Sequence, residues 1–135
     1  NARMEQTMSA MTDYLENEIL DHILATASYT APATVYVGLS TGSFGDDNSG
    51  TEISGSGYGR VAASFGVAAS GTASNDAAIE FSAATGDWGT VSHFGIFDAS
   101  STGNLLIHGS FTASKVIATG DILRIQTGDL DVSAD

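Results

Sequence analysis

The chain has 135 residues, no cysteine, and sixteen acidic side chains against four basic ones, for a formal net charge of -12. That length holds a single core without disulfides, the missing thiols exclude disulfide frameworks, cysteine zinc sites and thiol catalysis, and the charge argues against nucleic acid and anionic membranes as partners. Sixteen glycines and one proline point to short strands and tight turns rather than a helical bundle.

No apolar stretch approaches the roughly 20 residues that span a bilayer, and the first residues lack the basic start and apolar centre of a secretion signal. The acids are scattered, which reads as a soluble, mutually repelling surface. Residues 1–8 are set apart as a leader of unassigned origin, with Met8 and Met11 as alternative starts, ahead of a single domain over 9–135.

From about Ser9 to Ala25, Met11, Leu15, Ile19, Leu20, Ile23 and Leu24 recur at three- and four-residue spacings. This predicts an amphipathic helix, capped by Thr12 or Ser9, with Asp13 and Glu16 in the first turn where carboxylates favour the helix dipole. Its apolar stripe either covers part of the sheet in the same chain or docks on a neighbouring subunit. Pro32 breaks the helix pattern, and Thr34 to Ser40 predicts a strand with Val35, Val37 and Leu39 on one face.

Thr41 to Gly59 reads as a long surface loop with Phe44, Ile53 and Tyr58 as its apolar anchors, the place where specific contacts are expected. Asp46, Asp47, Asn48 and Glu52 offer the oxygen ligands calcium takes, without the spacing of a defined calcium loop, so a solvated turn is the alternative. Arg60 to Val67 predicts a half-buried strand with Val61, Ala63, Phe65 and Val67 inward. Arg60, beside Tyr58, is placed to pair with a carboxylate and stack on the ring. Ala68 to Asp76 reads as a loop of small residues, followed by a short strand with Ile79, Phe81 and Ala83 inward.

Val91 to Phe97 and Leu105 to Phe111 flank a connector of hairpin composition. Large apolar side chains at successive positions (Phe94, Ile96 and Phe97; Leu105, Leu106 and Ile107) put this hairpin in the middle of a packed sheet. A brief extended piece over Lys115 to Ile117, a strand over Ile122 to Thr127 with Leu123 and Ile125 on one face, and an alternating Leu130 and Val132 close the chain. Seven or eight short strands with regular turn signals are the pattern of a sandwich, jelly roll or barrel.

His93 and His108, on the two arms of the hairpin, could hold a metal with Asp98 if the register let them face each other. Trp88, Phe94 and Phe97 could form a platform for a sugar ring, or plug the core. There is no nucleophile elbow, P-loop or dinucleotide fingerprint. No catalytic, cofactor-binding or metal-ligating residues are therefore assigned.

The run Asp13-Tyr-Leu-Glu-Asn-Glu-Ile-Leu-Asp-His-Ile-Leu, then Tyr29-Thr-Ala-Pro-Ala-Thr-Val-Tyr-Val-Gly-Leu-Ser-Thr, Gly57-Tyr-Gly-Arg, Trp88-Gly-Thr-Val-Ser-His-Phe-Gly-Ile-Phe-Asp-Ala and Gly103-Asn-Leu-Leu-Ile-His-Gly resembles a family of small tailed-bacteriophage proteins of tail-fibre-like type. The resemblance implies a non-enzymatic virion component, either a compact fibre or adaptor module on the tail or a decoration (cement) protein on the head. Pattern and resemblance together predict an all-β, antiparallel sandwich of jelly-roll type with one N-terminal helix. It is expected to form a homo-oligomer, with a trimer as the expected order, and to contact other virion proteins of capsid or tail without a cofactor. The interface candidates are Met11, Leu15, Ile19, Ile23, Phe44, Ile53 and Tyr58. The competing role is a receptor- or glycan-binding tip.

Overall fold

The computed structural model describes residues 2–134, with residues 6–8 described by their backbone alone. The elements are β1 (Ala2–Arg3), β2 (Gln6–Met11), α1 (Asp13–Ile23), β3 (Val35–Ser40), β4 (Val61–Ala63), β5 (Thr72–Ser74), β6 (Ile79–Glu80), β7 (Gly89–Phe97), β8 (Leu105–Ile117), β9 (Leu123–Ile125) and β10 (Asp131–Ser133). The segment read as a leader contributes β1 and the start of β2, and Met4 between them is buried in the core. Asn1 and Asp135, the outer ends of the expected leader and domain, lie outside the described residues.

The principal sheet has the order β2-β8-β7-β3-β4 and is antiparallel throughout. A second sheet, β1-β9-β6, lies across the core from it, and β10 pairs with β5. The β1–β9 pair is parallel, so the expected antiparallel pattern holds for every other strand pair among the described residues. The protein is all-β with one helix. Val37, Leu39, Val91, Phe94, Ile96 and Phe111 from the principal sheet share one apolar cluster with Ile79, Phe81, Leu123 and Ile125 from the second. Two sheets meeting through such inward-facing side chains are the essence of a sandwich core.

The hairpin of β7 and β8 holds the two central positions of the principal sheet. Phe94, Ile96 and Leu105 are buried there, and Ile107 is half-buried. The brief extended piece at Lys115 to Ile117 is the end of β8, which runs on to pair with Gly89 to Val91.

The helix begins at Asp13 rather than near Ser9. Ser9, Ala10 and Met11 pair with Gly109, His108 and Ile107, so sheet hydrogen bonds at the open flank of β8 override the helical spacing of the apolar residues. Thr12 makes the switch from strand to helix. Its backbone is extended (φ -74°, ψ 161°), and its side chain accepts from the Leu15 N–H as an N-cap. Its hydroxyl donates to the Leu105 carbonyl at 2.7 Å, and its own N–H reaches the Leu106 carbonyl at 2.9 Å. These two carbonyls lie where the β7–β8 register shifts, between Ile96 and Phe97.

Two other expectations change. After β4 the chain leaves the sheet: Gly66 N donates to Ser74 O, Asp76 N donates to Ser64 O, and the following turn leaves Val67 at 99% exposure instead of inward. Past Phe81 the chain bonds out of strand alternation, Ala84 N donating to Asp121 O, and Ala84 rather than Ala83 is buried. Asn75 is a buried polar residue that the sequence patterns do not single out. Its amide donates to Ala77 O and Gln126 O, and its carbonyl accepts from Gly128 N and Leu130 N. Four bonds satisfy the group completely.

Candidate functional site

The side of the principal sheet facing away from the main core carries a second, smaller apolar cluster of Phe44, Phe97 and Leu105. Phe44, from the β3–β4 connection, meets Phe97 edge to face with centroids 5.6 Å apart. Space for this cluster comes from Gly38 and Gly95, which are direct cross-strand partners. A Cβ on Gly38 would stand 2.6 Å from Glu52 Oε2 and 2.9 Å from both Phe97 Cε1 and the Tyr58 hydroxyl. One on Gly95 would stand 2.7 Å from Leu105 Cδ1.

A polar clamp closes the cluster. The Arg60 guanidinium lies 3.5 Å from the Phe97 ring centroid and forks onto Glu52, Nε to Oε2 at 2.9 Å and Nη2 to Oε1 at 2.8 Å. Its Nη1 donates to the carbonyls of Ala99 and Thr102, both at 2.8 Å, and so ties down the β7–β8 loop. The expected pairing with a carboxylate is present, but the ring beneath the cation is Phe97 rather than Tyr58. Tyr58 instead stacks on Phe81 and meets Trp88 edge-on at 5.5 Å. Its hydroxyl donates to Glu52 and accepts from Leu39 N at 2.9 Å. Burial, then the bond to Glu52 and its charge, raise the Tyr58 pKa far above the ordinary phenol range. With Ile53 N on Leu39 O, the loop covers the flank of β3 beyond the end of β4.

Every polar group of this clamp is committed to a neighbour within the chain. Four of the five guanidinium donors and both Glu52 oxygens are in use, so the clamp positions loops rather than reactants. The loop carboxylates diverge in the same way. Asp46 Oδ1 bonds His108 Nε2 at 2.7 Å, Asp47 accepts from Ser49 N, which with the Ser49 side chain holds its carboxyl below the usual range, and Glu52 turns inward to Arg60.

The histidines do not face each other. His93 sits opposite Ser110, and His108 sits opposite Gly95. They line an open cleft of about 180 Å³ with Ser9, Ser43 and Ser110. His93 Nδ1 bonds Ser92 Oγ at 2.7 Å, and burial together with the neighbouring His108 lowers its pKa. Asp98 is elsewhere, accepting from the N–H and side-chain amide of Asn104. Among the described residues, no three His, Asp or Glu side chains converge as a metal site. Trp88, Phe94 and Phe97 are all buried, at 5% exposure or less, so they form no surface platform for a sugar.

The interface candidates divide by placement. Leu15 and Phe44 are buried inside the chain. Met11 and Ile19 are half-buried, and Ile53 and Tyr58 pack partly buried against the main core. Ile23 stands at 69% exposure and is joined by Leu20 at 55% and Leu24 at 67%. These last two belong to the stripe visible in the sequence. Its width, broader than one anchoring row, is the signal that part of it stays uncovered.

A family model described as podophage GP4 fiber I protein gp80 matches residues 10–133, from the end of β2 through β10. The chain belongs to this family. No curated protein matches it. As a member of the gp80 fibre family, it is a structural component of a tailed-phage virion. No helix among the described residues is long and apolar enough to cross a membrane.

Proposed function

We propose that this gp80-family chain is a compact, non-enzymatic module of the phage fibre that works by protein–protein contact, both with other virion proteins and with copies of itself as a trimer. The observation that carries the contact with other virion proteins is the uncovered apolar end of α1, where Leu20, Ile23 and Leu24 stand together in water. Burying side chains of this kind contributes about 1.5–3 kcal/mol each at full coverage, and repetition on a particle multiplies a modest single-site affinity. The net charge of -12 keeps unassembled subunits apart in solution.

A receptor- or glycan-binding tip is less well supported, because the aromatic side chains that would stack on a sugar are in the core. The fibre description favours the tail over a head-decoration role. Mass spectrometry of purified particles tests the reading, with the chain expected at fixed stoichiometry and its absence overturning the proposal. In the same preparation, saturating free protein is expected to leave phage adsorption to host cells unchanged; competition would favour the receptor-tip role instead.

A further inference from the structure

We infer that the last turn of α1 is the docking surface for a different protein of the virion, one that offers an apolar groove rimmed by lysine and arginine, and not for a second copy of this chain. The inference rests on the virion role proposed above and names the partner's chemistry.

Helical spacing places Leu20, Ile23 and Leu24 on one face, with Glu16 a turn earlier on the same side. Leu15 is buried and Ile19 is half-buried, so they hold the helix on the body of the protein and leave the Leu20 face outward. Beside it runs a groove of about 420 Å³ lined by Met11, Glu16, Asn17, Ile19 and Leu20. The face is therefore a ridge with a hole next to it, the relief into which side chains of a partner interlock.

The charges identify the partner. The helix carries Asp13, Glu16, Glu18 and Asp21 and no lysine or arginine. Glu16, the acid on the ridge side, has no ion-pair partner among the described residues. The apolar ridge also sits at the C-terminal end of the helix, where the backbone dipole favours cations. A second copy has few of them to offer. Arg3 is taken by Asp129 and Glu5, Arg60 by Glu52, and Arg124 by Glu80, which leaves Lys115 as the one cation outside an ion pair among the described residues. A symmetric contact through the Leu20 face would bring Glu16 toward Glu16 of the other copy, and like charges across an interface select against it. A basic rim around an apolar groove satisfies both the ridge and its acidic border.

The test uses the full chain and a fluorescently labelled amphipathic helical peptide of leucine and lysine, with a leucine–glutamate peptide of the same pattern as the control. Anisotropy is expected to show binding to the Leu/Lys peptide alone, weakened by about tenfold or more in Leu20→Ser/Ile23→Ser and less in Glu16→Gln. Leu24→Ser is the milder apolar variant, and circular dichroism checks that each variant keeps its fold. Equal binding by wild type and Leu20→Ser/Ile23→Ser would reduce the effect to bulk charge and overturn the inference. So would loss of the homo-oligomer by Leu20→Ser/Ile23→Ser in sedimentation velocity, because the ridge would then be the contact between copies. Particle composition separates the two levels. If wild-type protein is missing from purified particles, the virion role fails; if wild type is present and Leu20→Ser/Ile23→Ser is incorporated equally well, only the docking surface fails.

Discussion

The principal sheet has two covered sides built on different physics. On the main-core side, Val37, Leu39, Phe94 and Ile96 meet the second sheet through apolar contact. On the other side, Phe44, Phe97 and Leu105 form a cluster too small to close itself, and Arg60, Glu52 and Tyr58 finish the closure with hydrogen bonds and a cation over a ring. The first side is stabilised by area removed from water, which depends little on pH or salt. The second depends on a part-buried ion pair, whose value lies in geometry and which becomes a liability when one partner is removed. The segments read from the sequence as a long surface loop, over 41–59, and as a hairpin connector, over 98–104, are tied down on this second side.

Substitutions on the two sides should therefore behave differently. The largest effect is expected from Phe94→Ala, which empties a fully buried site in the main core and should cost about 3–5 kcal/mol in denaturant unfolding. A loss below about 1 kcal/mol would show that the two sheets do not share one core. Arg60→Ala should cost about 2–4 kcal/mol, because Glu52 stays half-buried without its partner and Phe97 loses its cover. Arg60→Lys is expected to recover only part of this, since an ammonium cannot reproduce the fork or the two carbonyl bonds. Full recovery by lysine would mean that charge alone holds the loops.

The smallest effect, and the one that separates the two sides by pH, comes from Tyr58. Its phenol stays protonated in the folded protein well above the ordinary value of 10.0, while the unfolded chain ionises near that pH. The unfolded state then binds fewer protons, so stability is fully present below pH 10 and falls as pH rises beyond it. Tyr58→Phe should cost about 1–2 kcal/mol at neutral pH, from the lost bonds to Glu52 and Leu39 N, and should flatten the alkaline decline measured by unfolding at several pH values. Tyr14 and Tyr29, whose pKa values are also raised by burial first, leave a residual slope. An unchanged slope in Tyr58→Phe would place the alkaline sensitivity outside the clamp.

Much of the fold was legible because it depends on local patterns. The β7–β8 hairpin announces itself by two apolar runs around a polar connector, and its unbroken apolar character is now explained by covered surfaces on both sides. The helix was legible from its spacing and its Thr12 cap, but its start was not. Ser9 to Met11 fits a helical stripe and an edge strand equally well, and only the open flank of β8 decides between them. Val67 and Ala83 were misplaced for a related reason: alternation extrapolates a strand, while backbone bonds from Ser64, Gly66 and Ala84 to distant partners end it.

The site was less legible than the fold. Ion pairs such as Arg60–Glu52 and fully bonded polar groups such as Asn75 have no periodicity to reveal them, and with sixteen acids for four bases any pairing looks equally good on paper. By itself, the sequence determined the strand-rich class, the one amphipathic helix, the acidic surface and the likeness to phage fibre proteins, because these follow from composition, short-range spacing and ordered motifs. Only the tertiary structure decided which apolar residues face water. Leu15 and Leu20 are equally apolar and belong to the same broad stripe of one helix, yet the body of the protein covers the first and leaves the second open, because burial depends on what the rest of the chain brings alongside.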